Sequence, residues 1–430
     1  MNKEFPKVLV ISNDCLSNST SNGRTLKNFF IGWPKNNIAQ FCIHYDNPDY
    51  NVCNNYYVVS DRNALDSFLM KKKKNNILAK ESTEKHSTKS RNALTMLIRN
   101  IVWNSKRWLT KDFYKWLYDY KPEIIVLQVG DSSFMFNIAM LESKKIDIPI
   151  VVYNSESYFF KKYDYFRGNI ISKMFYPVFY YNLKHGYKKL MNKCSYAIYL
   201  CRMLENEYNR VFSVDSSTIY TTTELNALPQ IIDNEFKISY IGNLGLDRHK
   251  SLIEIANILQ ELSVDLKIDV YGRIPNDDIE KELKMCKGIN ICGFVDYKDV
   301  ISVMQSSDLL LHIESFEKFY VKDLKYAFST KIADCLGSGI PFLVYAPKEL
   351  ACTQYLLTNE CAHVATNKIE LKKILALLIN DFDYRNKYHF KATEIAGINH
   401  NKTSNFLKFK SILMKSIKNY EEIRHENNSN

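Results

Sequence analysis

Between Lys237 and Pro347 the chain alternates short apolar runs with stretches of helical spacing, and this rhythm restricts the fold more than any other feature. The runs Ile238–Ile241, Leu266–Tyr271, Ile289–Cys292, Leu309–Ile313 and Phe342–Tyr345 show no polar alternation. Such runs read as strands buried on both faces. Helical stretches at about Lys250–Leu262, Ile279–Cys286 and Asp299–Ser306 lie between them. Strand and helix in regular succession predict an α/β class, a parallel sheet with helices on both faces.

The first half repeats the pattern less regularly. Lys7–Ser12, Ile38–His44, Tyr56–Val59, Glu123–Val129, Ile148–Tyr153 and Ser195–Cys201 read as strands, and Ile219–Thr223 as the last strand and linker. Two Rossmann-like halves follow, without the glycine fingerprint of a dinucleotide site. With 430 residues the chain can fill two cores. The expected domains are 1–225 and 226–399, with a polar, lysine-led insertion at 71–90 and a terminal helix at 400–426 that packs back on the first domain.

In open α/β sheets ligands sit at the carboxyl ends of strands, which selects candidates by position. In the first half these are Gly23 and Arg24 in the opening loop, Asp131 with Ser132, and Glu156. Gly23 would let the backbone approach a ligand and Arg24 face a phosphate; equally, the loop simply turns. Glu156 reads as a general base, an acceptor contact or a helix cap. In the second half the loop Gly242–Lys250 sets Arg248 and Lys250 at a helix start, two cations suited to a diphosphate. Glu314 and Glu317 follow a strand; Glu314 is the nearer to the sheet, Glu317 reads as a solvated loop residue, and His312 as a buried, hydrogen-bonded histidine. In Phe328–Pro341 the triplet Ser329-Thr330-Lys331 opens a helix that carries Asp334. A helix N-terminus offers free N–H groups to phosphate, and a carboxylate accepts from sugar hydroxyls.

A net charge of +11 admits nucleic acid, an anionic membrane or a phosphorylated ligand as partner. No nucleic-acid motif is present, so the last two are favoured, against the plain alternative of lysines on solvated faces. Two stretches suit a membrane surface, Arg91–Leu109 with Trp103 and Trp108, and Tyr163–Leu190, aromatic and basic. Either also reads as a helix packed on the sheet. The ten cysteines form no metal-ligand spacing, and no apolar stretch is long enough to span a bilayer. A cytoplasmic protein with reduced thiols, in peripheral contact with the inner membrane face, is expected.

The sequence resembles the family-4-like glycosyltransferases of the GT-B fold, in their bacterial polysaccharide-type branch. The resemblance rests on Ser21–Leu26, Tyr240–Gly245, Arg248-His249-Lys250, Val270-Tyr271-Gly272, Gly293-Phe294-Val295, Ser329–Asp334 and Gly339-Ile340-Pro341. It implies two Rossmann-like domains facing across a cleft, the C-terminal one holding a nucleotide-activated sugar and the N-terminal one the acceptor, a sugar or a lipid-linked molecule. It implies transfer with retention, without a bound metal or other cofactor. By the resemblance, Lys250 is the diphosphate lysine, Glu314 meets the sugar, and Asp334 stands where a glutamate usually contacts the ribose. Asn243 replaces the usual arginine, for which Arg248 substitutes; Gly242 and Asn243 belong to the donor loop with Ser329, Thr330 and Lys331. The segment Phe316–Tyr326 lengthens the usual gap between the two acids. His44 and His185 are the candidates for an acceptor-side histidine. The alternative is a GT-B-like protein that binds a sugar nucleotide or a partner without transferring anything.

Overall fold

The structure, a computed structural model, describes residues 4–71, 91–228, 236–262 and 265–429. The expected insertion, from residue 72 to 90, and residues 229–235, just past the expected domain boundary, lie outside the described residues. The chain divides into two compact units, Met1–Tyr220 with Thr403–Asn430, and Thr221–Lys402.

The first unit runs β1 (Val8–Asp14), α1 (Ser21–Asn28), β2 (Ile38–His44), β3 (Asn55–Val58), α2 (Asp61–Phe68), α3 (Ala93–Asn104), α4 (Lys111–Tyr120), β4 (Ile124–Val129), α5 (Ser133–Ile146), β5 (Ile150–Asn154), α6 (Ile170–Met191), β6 (Tyr196–Tyr199), α7 (Arg202–Asn209) and β7 (Ser216–Thr218). Its sheet is parallel, in the order β3-β2-β1-β4-β5-β6-β7. Every residue of β4 is buried, as its unbroken apolar run requires of a central strand. Helix starts follow local chemistry: Ser60 and Asn63 close a capping box on α2, and Asn92 and Thr95 one on α3.

The second unit runs β8 (Ile238–Ile241), α8 (Arg248–Glu261), β9 (Ile268–Tyr271), α9 (Asp277–Met285), β10 (Ile289–Gly293), α10 (Tyr297–Gln305), β11 (Leu309–Ile313), α11 (Lys318–Asp323), α12 (Thr330–Ser338), β12 (Phe342–Tyr345), α13 (Ala351–Asn359), β13 (His363–Ala365), α14 (Lys368–Asn380), α15 (Phe382–Asn386) and α16 (His389–Asn399). The order β10-β9-β8-β11-β12-β13 is again parallel. The chain reverses its direction of travel across the sheet between β8 and β11, which opens a crevice at their carboxyl ends. Ile238, Leu252, Ile255, Leu259, Val270, Leu311 and Leu343 belong to the core beneath it.

The last helix, α17 (Lys402–Ser429), closes the core of the first unit. Phe409 stacks on Phe29 at 5.0 Å and meets Phe30 edge-on at 5.2 Å. One expectation needs correction. The strand placed at Ile219–Thr223 is Ser216–Thr218 instead. The threonines beyond it give their backbone to His400, whose Nδ1 lies 2.6 Å from the Thr221 carbonyl and whose carbonyl accepts from Thr223 N–H at 3.0 Å. Within Phe316–Tyr326, the segment that lengthens the gap between the two acids, α11 forms.

Candidate functional site

The richest cluster stands at the crevice of the second unit. After β8 the chain passes Gly242 and Asn243, and two non-glycine residues, Leu246 and Asp247, take left-handed backbone with φ of 62° and 59°. Such conformations are rare outside glycine, and this pair fixes where α8 begins. Arg248, its first residue, is turned inward. Its Nε donates to Glu314 Oε2 at 2.8 Å and its terminal nitrogen to Glu314 Oε1 at 3.2 Å. Only 6% of the Glu314 side chain is exposed. This two-pronged geometry is the strongest that a guanidinium and a carboxylate make. Ser251 Oγ donates to the Glu314 carbonyl at 2.8 Å, and His312 Nε2 lies 3.4 Å from Glu314 Oε1. Burial, with Lys331 and Arg248 nearby, holds the His312 imidazole neutral. His312 is buried as expected, but among the described residues its Nε2 has no hydrogen-bond partner.

Lys331 completes the cluster from the first turn of α12. Its Nζ lies over the Tyr240 ring, 5.3 Å from the centroid, and a Cβ on Gly242 would come within 1.8 Å of it. Gly242 is thus glycine because an ammonium occupies the space above it. A Cβ on Gly272 would likewise meet the Gly242 carbonyl at 1.8 Å, so the two strand-end loops touch backbone to backbone. Among the described residues no carboxylate pairs with the Lys331 ammonium. Burial and the neighbouring Arg248 charge push its pKa down to about 8. Ser329 caps α12 in extended conformation without a side-chain hydrogen bond, leaving the first-turn N–H groups, with Thr330, at the same edge. Gly242, Arg248, Glu314 and Lys331 therefore meet: a cation held without a counter-ion, a helix N-terminus and an acid fixed by an arginine.

The other expected donor residues stand differently. Lys250 is exposed, with its ammonium held by Asp247 at 3.0 Å and Glu317 at 3.3 Å. Asn243 uses its side-chain oxygen to accept from Gly245 N–H at 2.7 Å. Asp334 accepts from Thr223 Oγ1 at 2.7 Å.

In the first unit Gly23 lies within α1, where its N–H donates to Thr20 Oγ1 at 3.0 Å and an added Cβ would lie 2.6 Å from the Cys15 carbonyl. The glycine serves the close approach of helix to loop. Arg24 reaches the Asn18 carbonyl at 3.5 Å. Asp131 is buried after β4, bound by the Arg91 guanidinium and by Tyr165 Oη at 2.8 Å. Glu156 pairs loosely with Lys161 at 3.8 Å. His44 Nδ1 lies 3.0 Å from Asp14 Oδ1, and Thr20 Oγ1 donates to Asp14 Oδ2 at 3.2 Å, so an acid–histidine pair sits at the carboxyl ends of β1 and β2. His185 is exposed on α6 beside Tyr181.

Residues not anticipated from the sequence in these roles are Tyr240, which floors Lys331, Arg91, which neutralises Asp131, and Tyr165, whose hydroxyl donates to it. Only Tyr240 left a trace, as the one aromatic of β8, immediately ahead of the glycine loop. Among the described residues no group of three or more His, Cys, Asp and Glu could hold a metal ion, and no helix is long and apolar enough to cross a membrane.

No family model and no curated protein matches the chain. Solved structures do. Anabaena Alr3699/HepE, in complex with UDP and glucose, superposes with a TM-score of 0.62 at 12% identity over 95% of this chain and 100% of that one. Sucrose-phosphate synthase from Thermosynechococcus elongatus gives 0.61 at 10% identity, covering 95% and 98% of the two chains. A glycosyltransferase from Rickettsia africae ESF-5 gives 0.58 at 11% identity, covering 97% and 100%. Likeness at such low identity speaks for architecture, and with the two parallel sheets described above it shows that this chain has the GT-B fold.

Proposed function

We propose that the chain is a glycosyltransferase that takes a sugar from a nucleoside-diphosphate donor and passes it to a sugar or lipid-linked acceptor. The observation that carries this reading is Lys331. An ammonium that no carboxylate pairs with among the described residues, partly desolvated over Gly242 at a helix N-terminus, suits an anion. Structures of Anabaena Alr3699/HepE hold UDP, UDP-glucose, or UDP with glucose, which supports assigning a nucleoside diphosphate to the corresponding unit here.

Breaking the bond between the anomeric carbon and the diphosphate oxygen leaves negative charge on the diphosphate. In this proposal Lys331 and the N–H groups of Thr330 and Lys331 stabilise that charge. Arg248 adds a second cation, and Glu314, fixed by Arg248, faces the sugar hydroxyls. Lys250, Asn243 and Ser329 border the site, and Asp334, with Thr223, lies on the ribose side. The acceptor meets the carboxyl edge of the first unit, where Gly23, Arg24, Asp131 and Glu156 lie. Transfer proceeds with retention and without a metal, the departing diphosphate accepting the acceptor's proton. A second reading, binding without transfer, is favoured by the mutual neutralisation of Arg248 and Glu314, which leaves neither group uncommitted.

Calorimetric titration with UDP, GDP and ADP tests the donor site. One of them binds the wild-type protein, and Lys331→Ala weakens it roughly tenfold or more through loss of a charge-assisted contact. Equal affinity in the variant would remove Lys331 from the site. Product analysis with the matching sugar nucleotide then separates transfer from binding.

A further inference from the structure

Helix α6 buries Ser172, Tyr176, Phe179, Leu183, Tyr187 and Leu190. Its opposite face is unusually apolar. Ile170 is 81% exposed, Met174 66%, Val178 52% and Tyr181 67%. Their spacing sets them in one line along the helix. The same line continues through the exposed His185, Lys188 and Lys189. One face is therefore apolar over its first three turns and cationic over its last two. Helix α3 packs along α6, with Ala93 N–H donating to Ser172 Oγ at 3.1 Å, and exposes Ile98 and Ile101. Neither helix contains a carboxylate.

We propose that this face of the first unit docks on an anionic lipid surface. Apolar side chains in line with lysines, with a tyrosine at the junction, are what an interfacial helix presents to acyl chains and headgroups. Charge argues against a second copy as occupant. It would bring the same lysines, with no acid on α3 or α6 to meet them, and like charges across an interface oppose association. In a parallel β-α-β unit the helix runs back from the carboxyl edge of the sheet, so the apolar end of α6 stands at the edge where Asp131 and Glu156 lie. Docking there would bring the acceptor side of the unit to the lipid surface. The docking itself does not rest on the donor assignment, and a vesicle assay without nucleotide tests it separately.

The experiment is flotation of the full chain with vesicles of phosphatidylcholine alone, and of phosphatidylcholine with phosphatidylglycerol, at low and raised salt. The wild type floats with the mixed vesicles only, and less at raised salt. The double variants Met174→Glu/Val178→Glu and Lys188→Glu/Lys189→Glu each float at least about tenfold less, with circular dichroism and melting unchanged. Wild-type protein that stays in solution with both vesicle types overturns the proposal, whatever the variants do. So does flotation of folded Met174→Glu/Val178→Glu at the wild-type level. Light scattering that shows a dimer dissociated by Met174→Glu/Val178→Glu assigns the face to a second copy and also overturns it.

Discussion

Replacing Lys331 with methionine should stabilise the empty protein while weakening its hold on a nucleoside diphosphate. The ammonium is partly desolvated and pairs with no carboxylate among the described residues, so burial, with the Arg248 charge, moves its pKa from 10.5 to about 8. That difference corresponds to about 3 kcal/mol against the charged form in the folded state. The sign follows from the direction. The folded value lies below the unfolded one, so the penalty is complete below pH 8 and fades as pH rises towards 10.5. Methionine keeps most of the unbranched stem, one heavy atom shorter, and removes the charge. It also removes the cation–π contact with Tyr240, which is worth about 0.5–2 kcal/mol. Urea denaturation at pH 7 should therefore show a net gain of about 1–2 kcal/mol. Calorimetry on the same sample should show a loss in affinity of roughly tenfold to a hundredfold. Wild-type affinity should also fall as pH rises above about 8, because the free lysine must then take up a proton to bind. The variant should lack that slope. A Lys331→Met protein that is less stable than wild type and binds equally well would refute the reasoning.

Breaking the Arg248–Glu314 pair should cost far more: Arg248→Ala strands a buried carboxylate and loses about 3–5 kcal/mol in denaturant, and Arg248→Met/Glu314→Leu recovers most of it. Glu142 on α5 is fully buried, both its oxygens lack hydrogen-bond partners among the described residues, and burial raises its pKa to about 7. Stability should accordingly fall as pH rises from about 4.5 to 7, and Glu142→Gln should flatten that fall by as much as about 3 kcal/mol in urea melts across the range. Gly242→Ala should displace the Lys331 ammonium and lower nucleotide affinity about as much as Lys331→Met, read by the same calorimetry.

The strands were legible wherever burial on both faces leaves unbroken apolar runs, as in β4 and β11. Legibility ended where a residue's partner is distant in sequence. Arg248 and Lys250 read alike as cations at a helix start. Only the left-handed pair Leu246-Asp247 and the position of Glu314 decide that Arg248 points inward while Lys250 lies among surface carboxylates. Asp334 was visible as an acid inside a helix, but Thr223 was not visible as its partner. The threonine run after β7 has strand-forming side chains, yet its backbone is taken by His400. Lys331 was legible in kind, as part of a small polar triplet at a helix start. Its want of a counter-ion was not, because that depends on what the sheet edge places around it.

Release of nucleoside diphosphate from a panel of sugar nucleotides, followed by mass spectrometry with and without candidate sugar and lipid-linked acceptors, tests the central claim most directly. One donor should be cleaved, acceptor should gain the mass of its sugar, and Lys331→Met should reduce turnover by roughly a hundredfold or more. A wild-type protein that binds a donor from the panel yet neither releases diphosphate nor extends any acceptor would contradict the claim of transfer, and one that binds no sugar nucleotide at all would contradict the site itself.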